Sequence, residues 1–350
     1  MQTEAGLPGP EIDFEADQRF TRQVDRKALA ELTRELTKVS NGVALFAIAR
    51  QWIAIAAAIA LVVYMDRWWA WPIAALFIAT RQHALISLMH EASHYHLLSN
   101  RKLNDIIGDL LCAFPTNVTT VGYRHQHGEH HRHTNTGQDP YWVLMQAQPA
   151  WHFPRTPLRA AAVFLGDCLG IYLADHAKAI GPWTYLSRLA GKSQPKLTVG
   201  EHLRYGFFMG TLITSLTLAG GWLHYLLLWI VPQSTVMMAF FRLRALGEHP
   251  LKEDNTLTEL QESRDNPGRL IERFLLAPLN TNYHLTHHIF PSIPFNNLPR
   301  MHARLKQDGL LQPGVNTFDV YLGLDEKESL TGYLTREPPA PVSIQVGGNS

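Results

Sequence analysis

The chain has 350 residues, with 31 Lys and Arg against 30 Asp and Glu and a formal net charge of +1. That balance argues against a protein held to nucleic acid by a basic face. The two cysteines, Cys112 and Cys168, form no spaced pair that would make a disulfide framework, a zinc knuckle or an iron-sulfur cluster. Hydrophobic residues make up 46% and charged ones 17%, an apolar balance for a soluble chain, and the apolar residues gather in two blocks.

Residues 1–42 are polar and open with an acidic, Pro/Gly-bearing stretch expected to be poorly ordered, with no signal peptide visible. Within them Leu29, Leu32 and Leu36 recur at helical spacing between Asp25 and Lys38, which predicts an amphipathic helix lying on a membrane surface or docked on the body. The first apolar block, 43–89, is interrupted only by Asp66-Arg67, and each half exceeds the roughly 20 residues that span a bilayer. Trp68, Trp69 and Trp71 at the join are the aromatic anchors of an interface. A transmembrane hairpin is expected. Arg50, Gln51, Arg81, Gln82 and His83 fall inside it, where polar groups face a protein interior or a functional cavity, although Arg50 is free to snorkel.

A polar segment, 90–204, follows, and the moderately apolar run from Trp151 to Ala190 within it predicts helices along the interface. The second apolar block, 205–241, holds no charge, carries His224 and Gln233 and divides at Ala219 to Trp222, so a second and shorter hairpin is expected in place of a buried helical pair of a soluble protein. Residues 242–336 are polar again, and 337–350 read as a disordered tail. Of the 31 basic residues, 28 lie in the polar segments and only Arg50, Arg67 and Arg81 lie outside them, which places both termini and the central segment on the cytoplasmic side; a bacterial inner membrane is expected. The fold expected is all-α: four transmembrane helices in two hairpins with a cytoplasmic helical cap.

Every histidine except His224 then lies on or near one membrane face. Between His125 and His133 stand five histidines in nine positions, and His127, His130 and His131 fall at i, i+3 and i+4, so one helix face offers three imidazoles to a common metal. His284, His287 and His288 repeat that spacing, and His90 and His94 stand one turn apart at the end of the second span. Eight imidazoles exceed the four ligands of one tetrahedral zinc and suit two first-row metals with positions left open for oxygen, iron being the useful redox metal. Two rival readings are a zinc metalloprotease built on His90-Glu91-x-x-His94, with Glu91 as base, and a His-rich metal-binding or transport protein. Glu91, Asp109, Asp139 and Glu248 are expected to orient imidazoles by accepting their second N–H, or else to serve as caps or salt bridges. Asn282 either holds a metal-bound water or caps a helix.

HEASH, HGEHH and HLTHH, in that order with the first at the end of a hydrophobic hairpin, resemble the three histidine boxes of the membrane-bound fatty acid desaturase and hydroxylase family. The resemblance extends to RKLNDIIGDLL, HTNTGQDP and IFPSIPFNNLPRMH, over roughly residues 80 to 305. It implies that His90, His94, His127, His130, His131, His284, His287 and His288 hold two irons, with His249 ahead of the third box completing the set. His96, His125, His133 and His302 fall off the boxes and are expected as neighbours. The implied chemistry is reductive activation of dioxygen as co-substrate and removal of hydrogen from an unactivated C–H bond of an acyl chain, free, carrier-bound or lipid-bound. Desaturation is the outcome expected, with hydroxylation and oxidative decarboxylation to a terminal alkene as outcomes of the same site. No flavin, haem or iron-sulfur motif is visible, so a ferredoxin-like or cytochrome b5-like donor with its reductase is implied. Arg124, Arg132, Arg300, Arg304 and Lys306 either form its docking face or reflect only the bias of basic residues to that side.

Overall fold

The computed structural model describes residues 23–250, 258–325 and 328–335. Among them all regular elements are helices, and β contacts are confined to isolated bridges such as Asp265 with Tyr283. The acidic opening and the tail, 337–350, lie outside the described residues.

Three helices are long and apolar enough to cross a membrane: Asn41–Met65, Ala70–Ser93 and Trp222–Glu248. The pair Pro157–Cys168 and Leu173–Trp183, bent by 74°, makes up to four if it counts as one broken span. The first two helices are joined by a tight turn in which Asp66 takes a left-handed conformation, φ 46°, one that a short polar side chain tolerates. Trp68 and Trp69 are exposed there. Asn41–Met65 turns Leu45, Phe46, Ile53 and Leu61 outward, whereas Ala70–Ser93 is buried along most of its second half and is the post around which the others pack.

Two consecutive helices, Val199–Ala219 and Trp222–Glu248, extend beyond the apolar block 205–241 at both ends. Val199–Ala219 opens on a capping box, Thr198 with Glu201, and closes at Gly220, φ 62°, where the absent Cβ permits the left-handed turn. This helix was expected to be a span, but Glu201, His202 and Arg204 in its first turns keep it less apolar than the other three. Arg204 bonds Asp109 near one end of it, and just beyond the other end the His224 ring lies 5.3 Å from Trp71 at the turn after Asn41–Met65. The return helix is irregular, with a π-helical turn at Leu226–Ile230 and a break at Thr235 (φ −123°, ψ −88°). Pro232 supplies the cause, since its ring displaces the carbonyl four residues back and removes one N–H from the ladder.

The bent pair is held to this helix by a buried ionic knot. Asp167 accepts from Arg242 Nε at 2.7 Å and Nη2 at 2.9 Å, and its Oδ1 lies 2.7 Å from His176 Nε2. At the N-terminal side the amphipathic helix is shorter than the span Asp25 to Lys38, covering Ala30–Leu36. It docks on the body: Leu29 and Leu36 pack with Leu298, Met301 and Leu305, and Arg300 bonds Glu35 at 2.8 Å.

Candidate metal centre

Each histidine box is set in place by its own local device. His90 lies in the last turn of Ala70–Ser93, and His94 follows as the cap. The helix Thr120–His133 starts where Thr119 Oγ1 accepts the Gly122 N–H at 3.1 Å and Asp109 Oδ1 accepts the Thr120 N–H at 3.0 Å. A Cβ on Gly122 would stand 2.5 Å from Thr119 Oγ1 and 3.1 Å from the Trp183 carbonyl, so this cap requires glycine. The short helix His284–Ile289 is fixed by Asp265, which accepts the Thr286 N–H at 3.0 Å and the Thr286 hydroxyl at 2.5 Å. His249 emerges in extended conformation just after Glu248.

These devices gather two groups of four imidazoles, His90, His94, His127 and His287 in one and His130, His249, His284 and His288 in the other. Within each group the ligating atoms all lie within 4.8 Å of one another. His131 stands between the groups: its Nε2 is 3.0 Å from His127 Nε2 and 3.1 Å from His287 Nε2, and its ring stacks on His288 at 4.3 Å. The structure thus brings together all nine imidazoles named from the sequence. It corrects the expectation of one metal per helix face. HGEHH sends His127 to one group and His130 to the other, and HLTHH divides in the same way, because residues three apart on a helix diverge by about 60°.

The chemistry of the donor set fits cations. His249 Nδ1 donates to the Glu262 carbonyl at 3.0 Å and His130 Nδ1 lies 2.9 Å from Asp139 Oδ2, so in both rings the proton sits on Nδ1 and Nε2 carries a lone pair. His284 Nδ1 faces Glu248 at 3.6 Å, and its Nε2 meets His249 Nε2 at 2.9 Å. His288 Nε2 is buried without a hydrogen-bond partner, a cost that coordination removes. Burial, followed by the neighbouring imidazoles, pushes His94, His127, His131, His284, His287 and His288 well below the ordinary imidazole range. Burial also lowers His249 to about 3. Neutral imidazole is the metal-binding form.

The carboxylates divide. Asp139, whose burial alone would raise its pKa, is held below the carboxylate range by His130 and by the Asn135 N–H. Glu248 lies against both Arg244 Nε, at 2.9 Å, and His284. Glu91 Oε1 is 3.4 Å from His90 Nδ1 while its Oε2 accepts the Phe295 N–H at 2.9 Å. Asp109, expected to orient an imidazole, touches Thr120 and Arg204 instead and acts as the anchor of the second box's helix. Asn282 donates to the Pro267 carbonyl at 3.3 Å rather than capping the third box's helix. The residues that sequence reasoning missed are Glu262, Asp265 and Asn135. Asn135, left-handed at φ 59°, donates its side chain to the Glu262 carbonyl at 2.6 Å and its N–H to Asp139. The only signal was their placement in HTNTGQDP and just ahead of the third box.

The remaining histidines lie outside both groups. His96 is 3.9 Å from Glu91, His133 is 3.7 Å from Glu129, and His302 bonds Asp265 at 2.7 Å. His125 sits on the second box's helix, and His83 packs edge-on to Phe241 within the second span. Arg124 is no part of a docking face: it is buried and bonds Asp105 and the carbonyls of Ala92 and Ser93. Arg132, Arg300 and Arg304 pair with Glu129, Glu35 and Asp308.

A cavity of about 110 Å³ touches both groups and is walled by Tyr141, Trp183, Phe241 and Arg244. Trp183 and Phe241 also wall a second cavity of about 290 Å³, where Ile86, Met89, Leu173 and Met237 make an apolar lining. Tyr141 stacks on His130 at 4.7 Å and Tyr123 on His127 at 5.0 Å, and burial raises both phenols above the ordinary range.

Helices of membrane length lead to two four-histidine groups, each able to hold a metal ion, beside an apolar cavity. The sequence pattern of the family described as fatty acid desaturase matches residues 66–317, and the chain belongs to that family. It is similar to the dihydrorhizobitoxine desaturase of Bradyrhizobium elkanii, 29% identical over 289 residues, covering 81% of this chain and 78% of that protein. It is also similar to an sn-1 acyl-lipid omega-3 desaturase (ferredoxin) of Nostoc sp., 25% identical with 69% of each chain covered. A third relative, an acyl-lipid omega-3 desaturase (cytochrome b5) of the endoplasmic reticulum of Arabidopsis thaliana, is 25% identical, covering 72% of this chain and 67% of that protein. The chain is a desaturase-family oxidoreductase with histidine metal-binding clusters.

Proposed function

We propose that the protein is a di-iron desaturase that removes hydrogen from an acyl chain held in the bilayer, using dioxygen and electrons from a separate protein. The observation that carries this reading is the pair of four-imidazole groups whose ring nitrogens converge beside an apolar cavity. His90, His94, His127 and His287 would hold one iron and His130, His249, His284 and His288 the other, with His131 between them. When bound, the two irons supply reductive activation of dioxygen. The chain's own residues do the rest. The Nδ1 partners of His130 and His249 fix those rings' tautomer and direction, Trp183 and Phe241 screen the site from water, and the second cavity takes the hydrocarbon. Which C–H bond reacts depends on how far the chain advances past Trp183 and Phe241, and hydroxylation or decarboxylation would follow from a different seat in the same cavity.

The geometry disfavours the rival readings. In a zinc protease Glu91 would be free to act as base, yet both its oxygens are engaged with His90 and Phe295. A transporter would hold its ligands near the bilayer midplane, whereas His90, His94 and His249 stand at helix ends. We place the termini and the metal site on the cytoplasmic side, with Val199–Ala219 as a fourth span completing two hairpins. The names of two relatives point to a ferredoxin or a cytochrome b5 as the class of electron donor.

Expression in a bacterial host with such a donor, followed by lipid and hydrocarbon analysis, tests the reading. New unsaturation that disappears with His130→Ala and with His284→Ala supports it. Identical lipid profiles for wild type and His130→Ala would remove the acyl substrate and favour a different small molecule. That second reading also draws on the B. elkanii relative, whose name denotes no acyl lipid. Two irons per chain in purified protein support the metal assignment, while a single zinc with peptidase activity lost in Glu91→Gln and kept in His284→Ala would replace it.

A further inference from the structure

Arg244 stands one turn before Glu248 on the helix Val236–Glu248 and, among the described residues, is the only Lys or Arg that lines the cavity at the two histidine groups. Its side chain is 12% exposed. Nε lies 2.9 Å from Glu248 Oε1, an oxygen that also faces His284 Nδ1 at 3.6 Å, and the guanidinium carbon lies 5.6 Å from the centre of the Phe241 ring. Neither terminal nitrogen, Nη1 or Nη2, has a hydrogen-bond partner among the described residues. Arg81, Arg188 and Arg242, buried in the same body, behave differently: each gives a terminal N–H to a protein oxygen, of Gln51, Glu201 and Asp167. The other carboxylates of the cavity are engaged elsewhere. Glu91 accepts the Phe295 N–H and faces His90, and Asp139 holds His130, Asn135 and Tyr141. The fork of Arg244 is therefore unspent beside a cavity that the protein leaves without a free anion.

Two parallel N–H groups of a guanidinium match the two oxygens of a carboxylate in geometry and charge, and a cation left unpaired against apolar walls is costly. The same helix also sets the direction of a tail. Met237 and Phe241 line the second, apolar cavity, while Phe241 and Arg244 line the one at the histidines, so the two cavities follow one another along the helix at about one turn, roughly 5 Å, per step. We propose that Arg244 anchors the carboxylate of a free fatty acid, whose hydrocarbon runs past Phe241 into the second cavity and whose carbons nearest the acid group lie beside the histidines. An ester or thioester to a lipid or carrier presents a neutral carbonyl at that point and leaves the fork unpaired, so a site of this kind discriminates against it. This inference rests on the proposed acyl-chain reading and deepens it by naming the head group and the residue that selects it.

The test is equilibrium binding of three tritiated probes, dodecanoate, methyl dodecanoate and dodecanol, to the full chain in lipid nanodiscs at pH 7.5, with empty nanodiscs subtracted. Wild type should bind dodecanoate roughly 10–100-fold more tightly than the ester or the alcohol, the worth of hydrogen bonds to a charged group. Arg244→Met should bring dodecanoate down to the level of the ester while ester and alcohol binding stay as in wild type, and Arg244→Lys, which keeps the charge and loses the fork, should fall between. A residue that merely supports the fold would weaken all three probes together, and that outcome overturns the proposal. Circular dichroism and a single size-exclusion peak verify folding, and if Arg244→Met does not fold, the wild-type comparison and Arg244→Lys still decide. Acid and ester bound equally by wild type would overturn the inference and leave the acyl-chain reading standing, whereas a wild type that binds none of the three would overturn both. The comparison is repeated after chelation of metal. A preference for the acid that disappears with the metal, or that persists in Arg244→Met, would place the carboxylate elsewhere and overturn the role of Arg244.

Discussion

Asp139 Oδ2 lies 2.9 Å from His130 Nδ1 and accepts the Asn135 N–H at the same distance, so one buried oxygen fixes both a metal-facing ring and the turn that ends its helix. The other oxygen caps the next helix through the Tyr141 N–H at 2.8 Å. Replacing Asp139 with Ala leaves three donors without an acceptor. Metal-free protein should lose about 2–4 kcal/mol, at about 1–3 kcal/mol for an unsatisfied buried group with partial relaxation, readable as a lowered thermal midpoint. A midpoint unchanged from wild type would mean the three donors find water.

Acid should act on the histidine groups before it acts on the rest of the fold. The buried imidazoles sit below their unfolded value near 6.5, His249 at about 3. The unfolded chain therefore binds more protons than the folded one in the window between those values, and stability falls as pH drops through 6.5 toward 3. Protons compete with metal for the same nitrogens over that range. Metal-free protein should melt lower at pH 5.5 than at pH 7.5, and bound metal measured by equilibrium dialysis should decline over the same interval. A midpoint that rises on acidification would contradict neutral buried imidazoles.

Gly108 is a point of close approach between helices. A Cβ there would stand 2.7 Å from Ala92 Cβ, inside the first histidine box, and 3.1 Å from Thr120 Oγ1 at the start of the helix that carries the second. Gly108→Ala should cost about 1–3 kcal/mol through overpacking, and because both boxes move apart it should also weaken metal binding. Gly42, where an added methyl would meet nothing within 4 Å, is the control: Gly42→Ala should leave both readouts unchanged.

The knot of Asp167, Arg242 and His176 stands away from both histidine groups and ties the bent pair to the return helix. Removing one partner leaves the other charge buried, at a cost of about 3–5 kcal/mol. Asp167→Ala should lower the thermal midpoint strongly and expose the segment around residues 165–175 to protease, while protein that does fold should keep its metal stoichiometry. Loss of one metal from folded Asp167→Ala would show a coupling that the geometry does not contain.

What the amino-acid order determined alone was whatever depends on short-range periodicity. Spans at 43–89 were legible because hydropathy is a property of consecutive residues, and the box histidines because a helix places i, i+3 and i+4 together whatever surrounds it. Tertiary structure decided how those imidazoles are shared. His127 and His130 are three residues apart and belong to different histidine groups, since the rings that complete each group arrive from His90, His249 and the third box, far along the chain. Likewise Asp109 and Asp139 are alike in sequence as acids beside histidine boxes. Only packing shows that Asp139 reaches an imidazole while Asp109 meets Thr120 and Arg204. A hydrogen bond is set by direction over three ångströms, which spacing along the chain does not specify when the partners come from different helices.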